Sequence, residues 1–369
     1  MKKIIFFFIL FSSLQSKSQR QTENIIIVTT DGLRWQEVFK GMDSAIANNS
    51  KYNQRDSDYI FRNYWSNDEK ERRKKLLPFL WSTIVTNGQL FGNRTAGSKV
   101  DNMNPYWFSY PGYSEIMTGY ADTAINSNEY PANPHVTVLE FLNKQPKLKG
   151  KVAAFCAWDA FDRILNEERS GIPVVSGFNP TGGITPNANE RLINAMNKDA
   201  YRPFGEIECQ DVFTHYAALE YLKTKKPRVL YIAYGETDEW AHAGKYRSYL
   251  DAGHQVDAWI KQLWDFVQKD PQYKNKTTLF VTVDHGRGDV KKEEWTSHSN
   301  KIEDAHEIWF AVMGPDTPKR GELNPIAIGS DMQLYQEQFA QTIAKLMGYT
   351  YKAGHPIASE IHYVFKMKK

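Results

Sequence analysis

Thr278-Leu279-Phe280-Val281-Thr282-Val283-Asp284-His285-Gly286 is the stretch on which the reading of the whole chain turns. Its β-branched and apolar run predicts a buried strand, and the run passes directly into a carboxylate, an imidazole and a glycine. Such a strand carries two metal-grade ligands out of the core at its carboxyl end, the edge where open α/β sheets keep their chemistry. An Asp-His pair behind one strand is commonly only a turn. Here two more runs end in acid: Ile25-Ile26-Ile27-Val28-Thr29-Thr30 meets Asp31-Gly32, and Val229-Leu230-Tyr231-Ile232-Ala233-Tyr234 comes shortly before Asp238. Three strands bringing carboxylates to one edge predict a site.

Helical patterns separate these strands. Residues 211–223 read as a helix feeding the strand at 228–234, and from Tyr249 to Gln268 the apolar positions Val256, Trp259, Ile260, Leu263, Trp264 and Val267 recur at helical spacing, core-facing. Further helices are predicted after Pro78 and over 136–144 and 334–347, with further strands over 151–157 and 308–313. The alternation predicts an α/β fold, a mostly parallel central sheet with helices on both faces. Segments 44–76 and 160–205 read as insertions within one domain spanning 19–369, placed to cap the edge where the acids gather. The mixed-sign row Asp68-Glu69-Lys70-Glu71-Arg72-Arg73-Lys74-Lys75 reads as a solvated helix face rather than a nucleic-acid or lipid surface.

The 369 residues, 41% of them hydrophobic, suffice for one large α/β domain. Residues 1–18 begin Lys2-Lys3, continue through the apolar Ile4 to Phe11 and close on small or polar residues, the pattern of a signal peptide too short to span a bilayer. The expectation is an exported protein, periplasmic or secreted, with no stable membrane anchor after cleavage. Once Lys2, Lys3 and Lys17 leave, the 46 basic residues fall to parity with the 43 acidic ones, which gives no reason to expect nucleic-acid binding. Cys156 and Cys209 lack a metal-type spacing, so any transition metal has to be held by His and carboxylate.

Asp238 and His242 are spaced to share one face of a helix and can grip one ion. His298, in Trp295-Thr296-Ser297-His298-Ser299, supplies a further ligand; His306, beside Glu307 at the start of a strand, reads as structural. The candidate nucleophile is Ser114, in Ser109-Tyr110-Pro111-Gly112-Tyr113-Ser114-Glu115-Ile116-Met117-Thr118-Gly119. Pro111-Gly112 predicts a turn, and Ser114 is placed to cap the short helix behind it, where backbone N–H groups converge on an anionic ester.

Thr30-Asp31-Gly32, Pro111-Gly112-Tyr113-Ser114-Glu115, Asp238-x-x-x-His242, Asp284-His285-Gly286 and the later His298 together resemble the alkaline phosphatase superfamily, near its phosphodiesterase and nucleotide pyrophosphatase branch. The resemblance runs from residue 24 to about residue 315. It implies that Asp31, Ser114, Asp284 and His285 surround one metal, that Asp238, His242 and His298 hold another, and that both are divalent ions, zinc before manganese or iron. It implies in-line attack by Ser114 on a small phosphate ester through a covalent phosphoserine.

The sulfatase segment Cys-x-Pro-x-Arg is absent, and no arginine follows Ser114 closely as in monoesterases of this superfamily, although Arg94 or Arg163 could reach in. The expectation is therefore a phosphodiesterase ahead of a phosphomonoesterase, phosphonate hydrolase or phosphomutase. Two other classes stay open, a non-catalytic exported metal-binding protein and a carboxylic-ester hydrolase. Asn102 and Asn104 are candidate donors to a phosphoryl oxygen; Trp158, which with Asp159 ends another strand, and Trp240 could line a leaving-group pocket, with core packing the first reading of each.

Overall fold

The computed structural model describes residues 21–366, so the predicted export segment lies outside the described residues. Its strands are β1 (Asn24–Thr30), β2 (Gln89–Phe91), β3 (Ser98–Asp101), β4 (Val152–Cys156), β5 (Val174–Ser176), β6 (Val229–Tyr234), β7 (Thr277–Thr282), β8 (Phe310–Met313), β9 (Gly321–Glu322) and β10 (Met332–Tyr335). Eight form one sheet in the order β5-β4-β6-β1-β7-β8-β2-β9, and β10 pairs with β3 in a separate ribbon. Neighbours from β5 to β7 run parallel, and β8 is reversed against both β7 and β2.

Every residue of β1, β6 and β7 is buried. Alternate side chains of a strand point to opposite faces, so both faces are covered, which is why these strands read as continuous apolar runs. The helices that matter below are α1 (Ser109–Thr118), α2 (Asp211–Thr224), α3 (Glu236–His242), α4 (Tyr246–Val267) and α5 (Gln338–Leu346). Val256, Trp259, Ile260, Leu263 and Val267 are buried along α4 as the spacing predicts, with Trp264 partly buried. Trp259 stacks on His215 at 5.0 Å and on Tyr234 at 5.6 Å, tying α4 to α2 and to the end of β6.

Several boundaries differ from the sequence reading. The expected helix over 334–347 is two elements: Leu334 and Tyr335 finish β10, and α5 starts at Gln338. The expected strand over 308–313 begins at Phe310. Part of segment 160–205 belongs to the central layer, because β5 pairs with β4 at Ala154↔Val174. In segment 44–76 the charged row forms a helix, Glu69–Leu76, with Leu76 its buried residue. Pro111-Gly112 is not a turn ahead of a helix; both residues lie within α1.

Candidate metal centre and nucleophile

Register explains the meeting of the acids. In the parallel trio β6-β1-β7, Thr29 pairs with Ala233 on one side and Thr282 on the other, so the three strands stop at one level. Asp31, the Gly235 turn into α3, and Asp284-His285 follow within a few residues. Gly32 takes φ +57°, a conformation glycine adopts without strain, and turns the chain away directly behind Asp31.

Asp31 and Asp284 divide their oxygens in the same way. Asp31 Oδ2 accepts from Tyr113 Oη at 2.9 Å, and Asp284 Oδ1 accepts from Gly32 N at 3.1 Å. Their other oxygens, Asp31 Oδ1 and Asp284 Oδ2, are buried without a hydrogen-bond partner. Each lies 3.3 Å from His285 Nε2. His285 Nδ1 is 3.0 Å from the Gly286 carbonyl, which can only accept, so the ring proton sits there and Nε2 offers a lone pair.

Burial pushes the Asp31 carboxyl well above its ordinary range, and repulsion from Asp238 adds to it; for Asp284 burial comes first and Asp31 second. Two unpaired buried oxygens and an imidazole lone pair around one point form a donor set that suits a divalent cation.

A second set adjoins the first, with the His285 and His298 rings stacked at 4.0 Å. His242 Nε2 is 3.1 Å from Asp238 Oδ2 and 2.9 Å from His298 Nε2. His298 Nδ1 faces the Trp107 carbonyl at 3.3 Å, which again leaves Nε2 free to ligate. Burial, then the neighbouring His285, hold the His298 pKa well below the ordinary imidazole value. Burial alone would raise Asp238, yet Arg287 and His242 hold it well below the usual carboxylate range. Arg287 was missed by sequence reasoning, although it follows Asp284-His285-Gly286 directly. Buried to 1% exposure, it donates from Nη2 to Asp238 Oδ1 and, at 3.1 Å, to the Asp238 carbonyl.

The structure brings Asp31, Asp238, His242, Asp284, His285 and His298 together, but it sets Ser114 apart. Because α1 starts at Ser109, Ser114 is mid-helix rather than at a cap, and its Oγ accepts from Asn133 Nδ2 at 3.0 Å. The serine facing the donor atoms is Ser109, in the first turn of α1, with Oγ 3.4 Å from His285 Nε2. A Cβ on Gly112 would lie 2.5 Å from the Asp284 carbonyl oxygen, so glycine lets the start of α1 press against the end of β7. The available signal was Pro111: proline is tolerated in a first helical turn, where its missing N–H costs nothing, so the helix starts ahead of it.

The other candidates are occupied. Asn102 Nδ2 donates to the Asp284 carbonyl and to Gln336 Oε1, both at 2.7 Å, and Asn104 Nδ2 donates to Glu115 at 2.8 Å. The asparagine next to Ser109 is Asn128, whose Oδ1 accepts from Tyr110 N at 2.9 Å. Arg94 is paired with Asp101 and Glu307, each at 2.6 Å. Arg163 donates to the carbonyls of Tyr130 and Asn128, holding the loop that carries Asn128. His306 faces the Glu303 carbonyl and Trp107, outside both sets. Cys156 and Cys209 are buried free thiols.

A family profile described as type I phosphodiesterase/nucleotide pyrophosphatase matches residues 42–364. No curated protein matches the chain. Among solved structures, alkaline phosphatase PafA superposes with a TM-score of 0.58 at 10% identity, covering 94% of this chain and 99% of its own. A putative sulfatase from Bacteroides thetaiotaomicron gives 0.57 at 13% identity, covering 94% and 76%. Murine ectonucleotide pyrophosphatase/phosphodiesterase 5 gives 0.53 at 11% identity, covering 93% and 100%. At these identities the likeness is one of fold.

Proposed function

The chain belongs to the type I phosphodiesterase/nucleotide pyrophosphatase family, and from that premise we propose that it is an exported phosphodiesterase with Ser109 as nucleophile and two divalent cations, zinc foremost. The observation that carries this reading is the convergence of Ser109 Oγ on His285 Nε2, beside the unpartnered oxygens of Asp31 and Asp284. Asp31, Asp284, His285 and Ser109 would hold one cation; Asp238, His242 and His298 would hold the other. Bound there, the cations would favour the alkoxide form of the serine and offset charge on the phosphoryl group and departing oxygen.

The chain's own residues do the positioning. Ser109 stands at the positive end of α1, whose N–H groups favour an anion. Asn128 binds Tyr110 N through its carbonyl oxygen, which leaves its NH2 as the donor we assign to a phosphoryl oxygen. Tyr113 and Gly32 N each hold one carboxylate oxygen so that the other faces the centre. Ser109 Oγ attacks phosphorus in line, the bond to the departing alcohol breaks, and water cleaves the resulting phosphoserine in a second displacement.

Diesters are favoured because Arg94 and Arg163 are engaged elsewhere, so neither compensates the second negative charge of a monoester. Export rests on the Lys2-Lys3 and Ile4 to Phe11 pattern; among the described residues no helix is long and apolar enough to cross a membrane. The test is turnover of bis(4-nitrophenyl) phosphate, 4-nitrophenyl phosphate, the sulfate and the acetate, with and without chelator. The bis-ester should be cleaved fastest, chelation should stop it, and acid quench should trap phosphate on the peptide containing Ser109. Faster acetate hydrolysis, or turnover indifferent to chelation, would overturn the reading.

A further inference from the structure

Two residues that are not glycine take left-handed backbone conformations beside the centre. Trp107, at φ +52°, comes shortly before Ser109, and Ser299, at φ +91°, directly follows His298. A side chain disfavours that conformation, which persists only where the surroundings hold it. The two residues meet: Ser299 N donates to the Trp107 carbonyl at 3.0 Å, and Asn300 N to the Tyr106 carbonyl at 3.1 Å. The same Trp107 carbonyl faces His298 Nδ1 at 3.3 Å. One backbone oxygen thus fixes both the aim of the His298 ring and the nitrogen left to ligate.

Asn104 holds Trp107 in place. Its Oδ1 accepts from the backbone N–H groups of Tyr106 and Trp107, each at 3.1 Å, closing the turn through which the chain enters the left-handed region. Asn104 is clamped in its turn. Its backbone N and its Nδ2 both donate to Glu115 Oε2 at 2.8 Å, and Met103 N donates to Glu115 Oε1 at 2.9 Å. Both side chains are buried, and Glu115 lies on α1, the helix that carries Ser109. Through Glu115 and Asn104, that helix grips the backbone oxygen that aims a ligand of the other donor set.

Resting on the two-cation reading above, we propose that Asn104 is a positioning residue: acting through the Trp107 carbonyl, it sets His298 for the cation shared with Asp238 and His242. It thereby couples the placing of α1 to the second donor set while touching neither substrate nor cation. The first set has supports of its own, since Tyr113, Gly32 N and the Gly286 carbonyl hold Asp31, Asp284 and His285. Loss of Asn104 therefore weakens one cation and spares the other, whereas general damage to the fold weakens both.

The test is zinc affinity, measured on the full chain by competition with a coloured chelator and resolved into its two steps. Asn104→Ala should weaken one step about 10–100-fold and leave the other within about threefold. Adding Trp107→Gly to Asn104→Ala should tighten the weakened step again by about fivefold or more, because glycine takes the left-handed conformation without being held. Trp107→Gly alone should leave both steps within about threefold, since the carbonyl rather than the ring does the aiming. Asn104→Ser keeps an acceptor oxygen for the turn and should fall between the alanine variant and the unaltered protein; it is read in the same way if the alanine variant does not fold. Equal weakening of both steps, or a double variant no tighter than Asn104→Ala, would overturn the positioning role. If the unaltered protein takes up no zinc, the two-cation reading itself fails; if it takes up two and Asn104→Ala holds both as tightly, the role of Asn104 alone fails.

Discussion

Ser109→Ala and Ser114→Ala should have opposite effects, because the two hydroxyls have opposite surroundings. Ser109 Oγ has one side-chain contact, the long 3.4 Å approach to His285 Nε2. Its removal therefore costs stability no more than about 1 kcal/mol, the net worth of an ordinary hydrogen bond. Three of four donors in the first set stay in place, so metal content should stay close to that of the unaltered protein. Turnover should nevertheless fall by roughly 10³-fold or more, because no other hydroxyl can make the covalent bond.

Ser114→Ala removes the acceptor of the Asn133 side chain, which is fully buried. An orphaned donor there costs about 1–3 kcal/mol, read as a fall in Tm of a few degrees, about 2–4 °C per kcal/mol at most for a chain this long. Turnover should stay within a few-fold, about threefold. The assay pairs initial rates on bis(4-nitrophenyl) phosphate with thermal melts and metal analysis on the same preparations. A Ser114→Ala protein that is folded, metal-loaded and inactive, beside an active Ser109→Ala protein, would refute the reasoning.

Exhaustive chelation should abolish turnover and lower Tm, since Asp31 Oδ1 and Asp284 Oδ2 then lie buried and unpaired; zinc should restore both, and a melt unmoved by chelation would contradict the donor sets. Tyr113→Phe frees Asp31 Oδ2 and should weaken cation binding about 10–100-fold by competition with a coloured chelator; unchanged affinity would deny Tyr113 that role. Burial raises the Glu115 pKa from 4.5 to about 7 against hydrogen bonds from Met103 and Asn104. A folded value above the unfolded one means that its contribution is fully present below pH 4.5 and is lost as pH rises to about 7. Urea unfolding across that window should slope downward by as much as about 3 kcal/mol more than in Glu115→Gln; parallel slopes would show that the carboxyl is ionised throughout.

What the sequence disclosed followed the strength of its local signals. The runs at 25–30, 229–234 and 278–283 are long and β-branched, and a parallel sheet buried on both faces has no other way to be written, so the sheet and the acids behind three of its strands were legible. Imidazoles and carboxylates announce themselves by type, and six of them met. A serine does not, and its meaning depends on where a helix begins. Reading Pro111-Gly112 as a turn put the start of α1 too late and set the candidate nucleophile at Ser114, where the proposed reading has Ser109. Arg287 and Tyr113 were invisible for a different reason: each acts on a group far from it in sequence, Asp238 and Asp31, and only the assembled sheet brings those partners into reach; Asn128 was hidden in a loop that Arg163 holds against the start of α1. Leu334 and Tyr335 misread as helix because β10 finds its partner, β3, more than 230 residues earlier.

The parts of the candidate centre come from positions 31, 109, 238, 242, 284, 285 and 298. No fragment that ends before β7 contains a complete donor set, and a growing polypeptide must finish β7 and the segment beyond before either set has all its members. On the proposed two-cation reading, ion capture is a late event that follows the assembly of the sheet. On that reading, a chain halted before His298 would stand out by remaining empty.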